Sequence, residues 1–314
     1  MPASRWALAL GLLLLSGCQR GGQKVIAVIP KATSHLFWIA VENGARAAAA
    51  ESKVTMEWNG PPSETDYARQ VQIVDAMIAR RVDGIVVAAT ERQALVAPIS
   101  RAMAAGIPVT VFDSGIEGDN YTSFVATNNY EGGVIAAREI GQLTGGEGKV
   151  AMVMNAPGST STMDRERGFE ETLAKDFPKL TIVARQYGQS DRGKARAAAE
   201  NMLTAHPDVK GMFCSSEPSA VGATLAVKAR NLSGKLKLVT FDSSADLVEE
   251  LKSGTISAMV VQDPFRMGFE AVKSVVDKIA GKPVAKRVDL SARLVRRDDL
   301  DQPDVLRLLT PEKK

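Results

Sequence analysis

Short apolar runs alternate with amphipathic stretches along most of the chain. The apolar runs are rich in β-branched residues and lack strict alternation, which is typical of strands buried on both faces of a parallel sheet. They occupy residues 25–30, 84–89, 108–112, 150–154, 180–184, 212–214, 236–241 and 258–261. The amphipathic stretches have apolar residues at helical spacing. They occupy residues 38–51, 67–80, 92–105, 132–143, 164–176, 193–205, 219–230 and 265–280.

This alternation of strands and helices predicts an α/β fold. The roughly ten strands exceed what one compact open sheet of this kind usually holds, so we expect two doubly wound parallel-sheet lobes. Turn residues interrupt the rhythm at 119–128, and a second series of elements starts at Lys149. The segment after Arg296 is charged and interrupted by proline, and it is expected to be a strap or a loose end.

The first residues are organised like a secretory signal peptide. Arg5 precedes an apolar run at 6–15, which is shorter than the roughly 20 residues that a membrane-spanning helix needs. The sequence LSGC at 15–18 looks like the lipobox of bacterial lipoprotein signals, and this resemblance implies cleavage before Cys18 and lipidation of its thiol. We therefore predict a signal peptide at 1–17 and a lipid-anchored tether at 18–23. The alternative is an ordinary secretory signal in which Cys18 has no role.

The composition narrows the class of protein. The chain has 314 residues, with 39 basic residues against 36 acidic ones and no cluster of Lys and Arg, which argues against a nucleic-acid partner. Its two cysteines cannot form a disulfide framework. If Cys18 is lipidated, Cys214 is the remaining thiol, and its apolar surroundings in the sequence predict a small buried hydrophobe rather than a nucleophile.

Catalytic motifs are missing from the sequence. There is no GxGxxG, GxxxxGK[ST], HExxH or paired CxxC motif, and no GxSxG elbow accompanies His35 or His206. The glycine-rich stretch at 145–149 precedes a strand, whereas a phosphate-binding loop follows one, so it predicts a turn. No group of His, Cys and carboxylate residues has the spacing of metal ligands. The sequence therefore predicts neither an enzyme nor a cofactor.

Candidate binding residues follow the carboxyl ends of predicted strands, where open α/β sheets bind their ligands. Phe37 and Trp38 come after the first strand, and aromatic rings can pack against the apolar faces of a sugar. The alternative is that both rings belong to the helix core. Asp113 and Asp242 each lie in a Phe-Asp-Ser sequence after a strand, one in each half of the chain. A carboxylate can accept two hydroxyl hydrogen bonds, which suits a polyol, but Asp is also a favoured N-cap.

These residues belong to an ordered series of short motifs. The series comprises residues 24–30 with the aromatic pair at 37–38, RERGF at 165–169, LTAHPDV at 203–209, GA at 222–223, FD at 241–242 and QDP at 262–264. In order and spacing, the motifs resemble ribose-type periplasmic sugar-binding proteins, the type I solute-binding proteins of ABC importers. The resemblance implies two lobes joined by hinge strands. The N-terminal lobe would comprise residues 24–126 plus 263–289, the C-terminal lobe 127–262 plus 290–297, and a C-terminal tail 298–314.

The resemblance also implies roles for individual residues. The stacking walls would be Phe37, Trp38 and Phe241. Asp113 and Asp242 would accept sugar hydroxyls, Arg165 would donate in a fork, and Gln262 would lie near the hinge. Residues that differ from those common in the family occupy further pocket positions, namely Lys31, His35, Ala88, Ser114, Ser190 and Ser216. These departures argue against ribose as the ligand but keep a polar pocket.

Several of these residues have competing interpretations. Arg165 could belong to a solvated charge cluster with Arg167, although its place three residues before Gly168 matches the ligand arginine of the family. Glu217 is either an acceptor in the pocket or a negative charge at a helix N-terminus. Lys31 and His35 could together accept an anionic group, which makes a sugar acid or sugar phosphate an alternative ligand.

Taken together, these features predict an extracytoplasmic lipoprotein that closes two lobes around a monosaccharide and docks on the permease of an ABC importer. We expect a monomer in the periplasm or at the cell surface, held to a bacterial membrane through Cys18. The first alternative is a sensor that presents its closed form to a chemoreceptor or histidine kinase. A LacI-type repressor would need a helix-turn-helix where the signal peptide lies, and a lipid-anchored enzyme would have to turn over its bound ligand.

Overall fold

A computed structural model describes residues 22–309 of the chain. Its strands are β1 (Val25–Ile29), β2 (Thr55–Trp58), β3 (Gly84–Val87), β4 (Val109–Phe112), β5 (Ser123–Thr127), β6 (Glu147–Met154), β7 (Lys179–Tyr187), β8 (Val209–Cys214), β9 (Lys237–Phe241), β10 (Ala258–Val261), β11 (Arg287–Leu290) and β12 (Arg293–Val295). Its helices are α1 (Leu36–Ser52), α2 (Tyr67–Ala79), α3 (Val96–Ala104), α4 (Asn129–Leu143), α5 (Thr160–Asp176), α6 (Arg192–Ala205), α7 (Glu217–Ala229), α8 (Ala245–Ser253), α9 (Pro264–Ile279) and α10 (Pro303–Leu309).

The strands form two six-stranded sheets with the same winding. The first sheet has the order β2-β1-β3-β4-β5-β11, and all of its pairings are parallel. The second has the order β7-β6-β8-β9-β10-β12, in which β12 runs antiparallel to β10. Each order reverses direction next to its first strand, so helices cover both faces of each sheet. The predicted fold class, two doubly wound α/β lobes joined at a hinge, is confirmed.

The central strands form because they are apolar over their whole length and both of their faces are covered. Every residue of β3, β4 and β10 is buried, as the continuous apolar runs predict. Helix starts are set by short polar side chains that accept a hydrogen bond from a backbone N–H of the first turn. Such caps are Asp66 for α2, Asn128 for α4, Asp191 for α6, Ser244 for α8 and Asp263 for α9.

The chain passes between the lobes three times, after β5, after β10 and after β11. These crossings lie side by side. Thr127 Oγ1 donates to Gln262 Oε1 at 2.6 Å, and the Asn128 N–H donates to the Leu290 carbonyl at 2.9 Å. Thr127 and Leu290 belong to strands of the first sheet, one residue beyond the division of the lobes expected from the sequence.

Some elements differ from the sequence pattern. The segment at 119–128, expected to consist of turns, contains β5, which pairs with β4 and β11. The segment after Arg296 is not a loose end, because α10 packs against the core of the second lobe through the buried Val305. The predicted signal peptide and Cys18 lie outside the described residues, as do most of the tether and residues 310–314. Between residues 22 and 309, no helix is both long and apolar enough to span a membrane.

Cys214 is fully buried at the end of β8 in the core of the second lobe, as predicted. Burial raises the pKa of its thiol far above the usual value. The thiolate, which is the nucleophilic form, is therefore strongly disfavoured, and Cys214 acts as a small apolar residue.

Candidate functional site

A cavity of about 340 Å3 lies between the two lobes, where the carboxyl ends of both sheets meet. This volume includes space that is open to solvent, and the enclosed space is much smaller. Its lining residues are Lys31, His35, Phe37, Trp38, Glu64, Asp113, Asn155, Ser161, Thr162, Arg165, Ser216, Glu217, Pro218, Asp242 and Gln262. Apart from two aromatic residues and a proline, the lining is polar.

The structure brings most of the predicted site residues to this cavity. Those that line it are Lys31, His35, Phe37, Trp38, Asp113, Arg165, Ser216, Asp242 and Gln262. Ser114, Ser190 and Phe241 do not. Ser114 Oγ instead accepts a hydrogen bond from the Ser161 N–H at 3.2 Å. Ser190 precedes the cap of α6, and its buried hydroxyl has no hydrogen-bond partner within the described chain.

Phe241 is not a stacking wall, because its ring does not line the cavity and Arg165 covers one of its faces. The guanidinium carbon of Arg165 lies 3.8 Å from the ring centroid. A Cβ at Gly132 of α4 would also come within 2.8 Å of two ring carbons. The ring is fully buried. Phe241 therefore supports Arg165 through a cation–π contact and presents no face to the cavity.

Asp113 and Asp242 occupy equivalent positions in the two lobes, directly after β4 and β9. Both have a positive φ, 54° and 70°, which is uncommon for residues other than glycine. Neither is an N-cap, because Ser244 caps α8 and β4 is followed by β5 without a helix between them. The alternative interpretation as caps is therefore wrong, and the paired geometry turns one buried carboxylate of each lobe toward the cavity.

Asp242 is held from three sides. Its Oδ1 accepts a hydrogen bond from Gln262 Nε2 at 2.6 Å, and its Oδ2 accepts one from the Glu217 N–H at 3.1 Å. Arg165 Nη1 lies 3.6 Å from Oδ2. Burial raises the pKa of the Asp242 carboxyl, and Arg165 and Gln262 offset only part of that effect.

Arg165 is buried and oriented by the protein, and it is not part of a solvated charge cluster. Its Nε donates to Asn129 Oδ1 at 2.8 Å, and its Nη1 donates to the Ser215 carbonyl at 2.9 Å. Arg167, two residues further along the same helix, is 55% exposed at its side chain and pairs with Asp164. The sequence RERGF thus contains one cavity arginine and one surface arginine.

Lys31 joins the two lobes and is already neutralised by the protein. Its Nζ donates to Ser159 Oγ at 2.8 Å and to Ser161 Oγ at 3.3 Å, both in the second lobe. In its own lobe it lies 3.5 Å from Asp113 Oδ2 and 3.8 Å from Glu64 Oε2. With two carboxylates around one ammonium group, Lys31 offers no free charge to an anionic ligand.

Phe37 and Trp38 contribute both to the core and to the cavity. Their rings meet edge to face, with centroids 5.0 Å apart. Trp38 is 2% exposed and packs edge-on against Phe112 in the core of the first lobe. Its Nε1 donates to Glu64 Oε1 at 2.9 Å. The two rings therefore form a fixed apolar wall on one side of an otherwise polar cavity.

The sequence analysis missed some of the lining residues. Glu64 follows β2, a strand that was not predicted. Asn155 directly follows β6, so the same strand-end rule that found Asp113 also applies to it. Ser161 and Thr162 lie in the first turn of α5, where no local pattern distinguishes them from ordinary residues of a helix start. Among residues 22–309, no group of three or more His, Cys, Asp or Glu residues is arranged to hold a metal ion.

Glu166 lies behind the cavity, next to Arg165, and is 3% exposed. Its Oε1 accepts hydrogen bonds from the Asn155 N–H at 3.1 Å and from Ser215 Oγ at 2.8 Å. Burial nevertheless dominates and raises the pKa of its carboxyl from 4.5 to about 7.

We predict that Glu166→Gln reduces the pH dependence of stability. Because the folded-state pKa is raised, the folded protein binds a proton more tightly than the unfolded chain, so the wild type loses stability as the pH rises from 4.5 to about 7. That loss amounts to at most about 3 kcal/mol. The glutamine Oε1 can still accept both hydrogen bonds. Urea unfolding across this pH range should show a flatter curve for Glu166→Gln than for the wild type, whereas Glu249→Gln, on the surface, should follow the wild type. A curve for Glu166→Gln as steep as that of the wild type would contradict the assignment.

Comparison with known proteins identifies the family of this chain. The family model described as periplasmic binding protein domain matches residues 26–283. The ribose import binding protein RbsB of Bacillus subtilis is 29% identical over 301 residues, covering 91% of this chain and 96% of that protein. A solute-binding protein of an ABC transporter from Agrobacterium vitis with bound D-fucose is 35% identical, with a TM-score of 0.89 over 91% of this chain and 99% of the other. A carbohydrate transporter solute-binding protein from Agrobacterium radiobacter in complex with D-arabinose is 33% identical, with a TM-score of 0.89 over 92% and 99% of the two chains.

Two parallel-sheet lobes with a polar cavity at their facing strand ends define a solute-binding protein of the cleft type. The relatives are solute-binding proteins and not enzymes. The chain belongs to the periplasmic binding protein family, and its resemblance to the ribose-type sugar-binding members is confirmed.

Proposed function

We propose that this protein captures a monosaccharide in the cavity between its lobes and delivers it to an ABC importer. The observation that carries the proposal is the composition of the cavity, which combines one buried carboxylate from each lobe with a buried arginine and an apolar aromatic wall. Asp113 and Asp242 can accept hydrogen bonds from sugar hydroxyl groups, and Arg165 can donate a hydrogen bond to a ring or hydroxyl oxygen. Phe37 and Trp38 can pack against the apolar C–H face of a sugar ring.

Relatives from several bacteria support the choice of ligand class. Their names or bound ligands are ribose, D-fucose and D-arabinose, all of them monosaccharides. These ligands have in common several hydroxyl groups on a small ring, which matches the polar lining of the cavity.

The lobes would close on the ligand because the ligand contacts both of them. Each lobe ends in polar groups at the cavity, and a sugar bound to Asp113 and Asp242 together stabilises the closed arrangement over an open one. Hydrogen bonds between the lobes also favour a closed arrangement. Lys31 donates to Ser159 at 2.8 Å, and Asn155 donates to Glu64 at 3.3 Å. The closed form is the one that we propose docks on the permease.

The cellular setting belongs to the proposal as well. We propose that the protein works as a monomer outside the cytoplasm, in the periplasm or at the cell surface, tethered to the membrane by lipidated Cys18. The family relationship supports an extracytoplasmic location, and the short apolar segment followed by LSGC at 15–18 supports the anchor.

Isothermal titration of the purified protein tests the proposal. The panel comprises ribose, allose, arabinose, fucose, tagatose, glucose, galactose and inositol. We expect at least one sugar to bind, and we expect Asp242→Asn to weaken its binding at least about tenfold, since a charge-assisted hydrogen bond contributes roughly 1.5–3 kcal/mol. Asp246→Asn, an exposed change four residues further on, should leave the affinity unchanged. If no monosaccharide binds, or if the two variants behave alike toward a sugar that does, the proposed function is wrong.

A further inference from the structure

One buried carboxylate oxygen in the cavity accepts no hydrogen bond from the part of the chain that the structure describes. Glu217 is 1% exposed and lines the cavity from the start of α7. Its Oε1 pairs with Arg192 at 2.5 Å, whereas its Oε2 accepts no hydrogen bond from any residue between 22 and 309. A buried acceptor without a donor is costly, and a charged acceptor is more costly than a neutral one. The position of this oxygen therefore calls for a donor from the ligand.

The charges around the cavity are also unbalanced, with more carboxylates than cations among the lining residues. Four carboxylates line it, belonging to Glu64, Asp113, Glu217 and Asp242, whereas the lining cations are Lys31 and Arg165. Arg165 faces Asp242, and Lys31 is shared between Asp113 and Glu64. Arg192 contributes a third cation behind Glu217, but its side chain is 44% exposed, so solvent screens part of its effect. Glu217 is therefore left with this exposed arginine and the imidazole of His35, 3.8 Å from its Oε2, as its counter-charges.

The unbalanced charge is located at one corner of the cavity. We use the term acidic corner for Glu64, His35 and Glu217. His35 Nδ1 lies 3.8 Å from Glu217 Oε2, and His35 also interacts electrostatically with Glu64. The corner thus combines a carboxylate from each lobe around one imidazole. Burial raises the pKa of the Glu217 carboxyl, and Arg192 and His35 offset only part of that effect, which is consistent with incomplete charge compensation.

We propose that the acidic corner selects a monosaccharide that carries a protonated amine, with Glu217 as the residue that determines this preference. This inference rests on the proposed function, since it concerns the same cavity. An ammonium group has three N–H donors and a positive charge, so it can donate to Glu217 Oε2 and also balance the charge of the cavity. A hydroxyl in the same place supplies one donor and no charge. An anionic group would add a fifth negative charge next to an ammonium group that Asp113 and Glu64 already neutralise.

Paired sugars that differ only by an amine in place of one hydroxyl test the proposal. The pairs are D-glucosamine with D-glucose, D-galactosamine with D-galactose and D-mannosamine with D-mannose, together with D-glucose aminated at its exocyclic carbon. Titrations at about pH 6 keep the amines protonated. We expect at least one amino sugar to bind about tenfold or more tightly than its parent, because its new hydrogen bond is charge-assisted. The formal net charge of the protein is +3, so attraction by the overall charge does not favour an amine.

Substitutions assign the preference to Glu217. In Glu217→Gln, the ratio of the two affinities should fall to about one, because the amide keeps the shape but loses the charge. Glu131→Gln is the matched control, since Glu131 is also a glutamate in the first turn of a helix but is exposed outside the cavity. It should leave the ratio as in the wild type. If Glu217 merely stabilised its helix N-terminus, both substitutions would leave the ratio unchanged, and the proposal would be overturned.

The outcomes also separate this inference from the proposed function. If neutral sugars bind at least as tightly as their amino counterparts, the amine preference is wrong and the sugar-binding function stands. If Glu217→Gln weakens both members of a pair equally, Glu217 accepts a hydroxyl and the preference is again wrong. If no neutral or amino sugar binds, the proposed function itself fails.

Discussion

Replacement of Arg165 by alanine is expected to lower the affinity for the bound sugar at least about thirtyfold. Removing one partner of a buried, hydrogen-bonded charge pair costs roughly 2–5 kcal/mol, and each 1.4 kcal/mol is about a tenfold change in affinity. Arg165 is such a partner, because it lies 3.6 Å from Asp242 in the cavity wall. Without it, the Asp242 carboxylate loses the cation paired with it, and the sugar loses a charged donor.

The variant Arg165→Lys tests whether the fork geometry matters in addition to the charge. The guanidinium donates to Asn129 and to the Ser215 carbonyl, and its central carbon lies over the ring of Phe241. A lysine ammonium is a point charge that cannot make all of these contacts together. We therefore expect Arg165→Lys to retain more affinity than Arg165→Ala but to remain clearly weaker than the wild type.

Arg167→Ala is the matched control for both variants. Arg167 lies two residues further along α5 and is solvent-exposed, with its contacts to Asp164 and Tyr130 at the surface. It should leave sugar affinity within a factor of about two of the wild type. Titration of all three variants, each checked for folding by circular dichroism, gives the comparison. Equal losses for Arg165→Ala and Arg167→Ala would show that the cavity is not the binding site.

The sequence predicted the interior of the sheets well and their edges poorly. The apolar pattern missed β2, β11 and β12, each the outermost strand at an end of its sheet, and it also missed β5, which lies between β4 and β11. Edge strands have one open side, and their residues here are mostly exposed or half-buried. They therefore lack the continuous apolar run that reveals a central strand. Their position depends on pairing with strands that are distant in the sequence.

The same limit explains which site residues could be predicted. Asp113 and Asp242 follow central strands, so the strand-end rule found them. Glu64 follows the edge strand β2, and without that strand nothing in the local sequence marks it. The interpretation of Phe241 as a stacking wall was wrong because a local pattern does not show how deeply a ring is buried. Arg165 of α5 lies over the ring, and Gly132 of α4 packs closely against its edge.

Each lobe also contains two helices whose backbones approach closely at glycine residues. This close approach leads to the second prediction of a large effect. In the second lobe, a Cβ at Gly133 of α4 would lie 2.0 Å from the Arg165 carbonyl oxygen, and one at Gly168 of α5 would lie 2.2 Å from the Tyr130 carbonyl oxygen. In the first lobe, α1 and α9 repeat the arrangement through Gly44 and Gly268. Since the obstructing atoms are backbone oxygens, a small side-chain movement cannot make room for a methyl group.

We expect Gly133→Ala to lower the free energy of unfolding by about 3 kcal/mol, because α4 and α5 must separate along their contact to admit the methyl group. A loss of stability would be informative, because alanine has a helix propensity about 1 kcal/mol more favourable than that of glycine. Without crowding, the substitution would therefore stabilise the protein. Urea unfolding without sugar measures the change. Gly268→Ala, whose Cβ would lie 2.1 Å from the Val41 carbonyl oxygen, should destabilise the first lobe by a similar amount.

Gly193→Ala is the control that separates crowding from helix propensity. Gly193 is an exposed glycine in the first turn of α6, and a Cβ there would meet no atom closer than a side-chain oxygen of Asp191 at 3.3 Å. This variant should be neutral or slightly stabilising. If Gly133→Ala and Gly193→Ala shift the unfolding free energy equally, the close approach of α4 and α5 does not govern stability. Opposite signs for the two variants would instead establish that Gly133 is required because the backbones of α4 and α5 touch there.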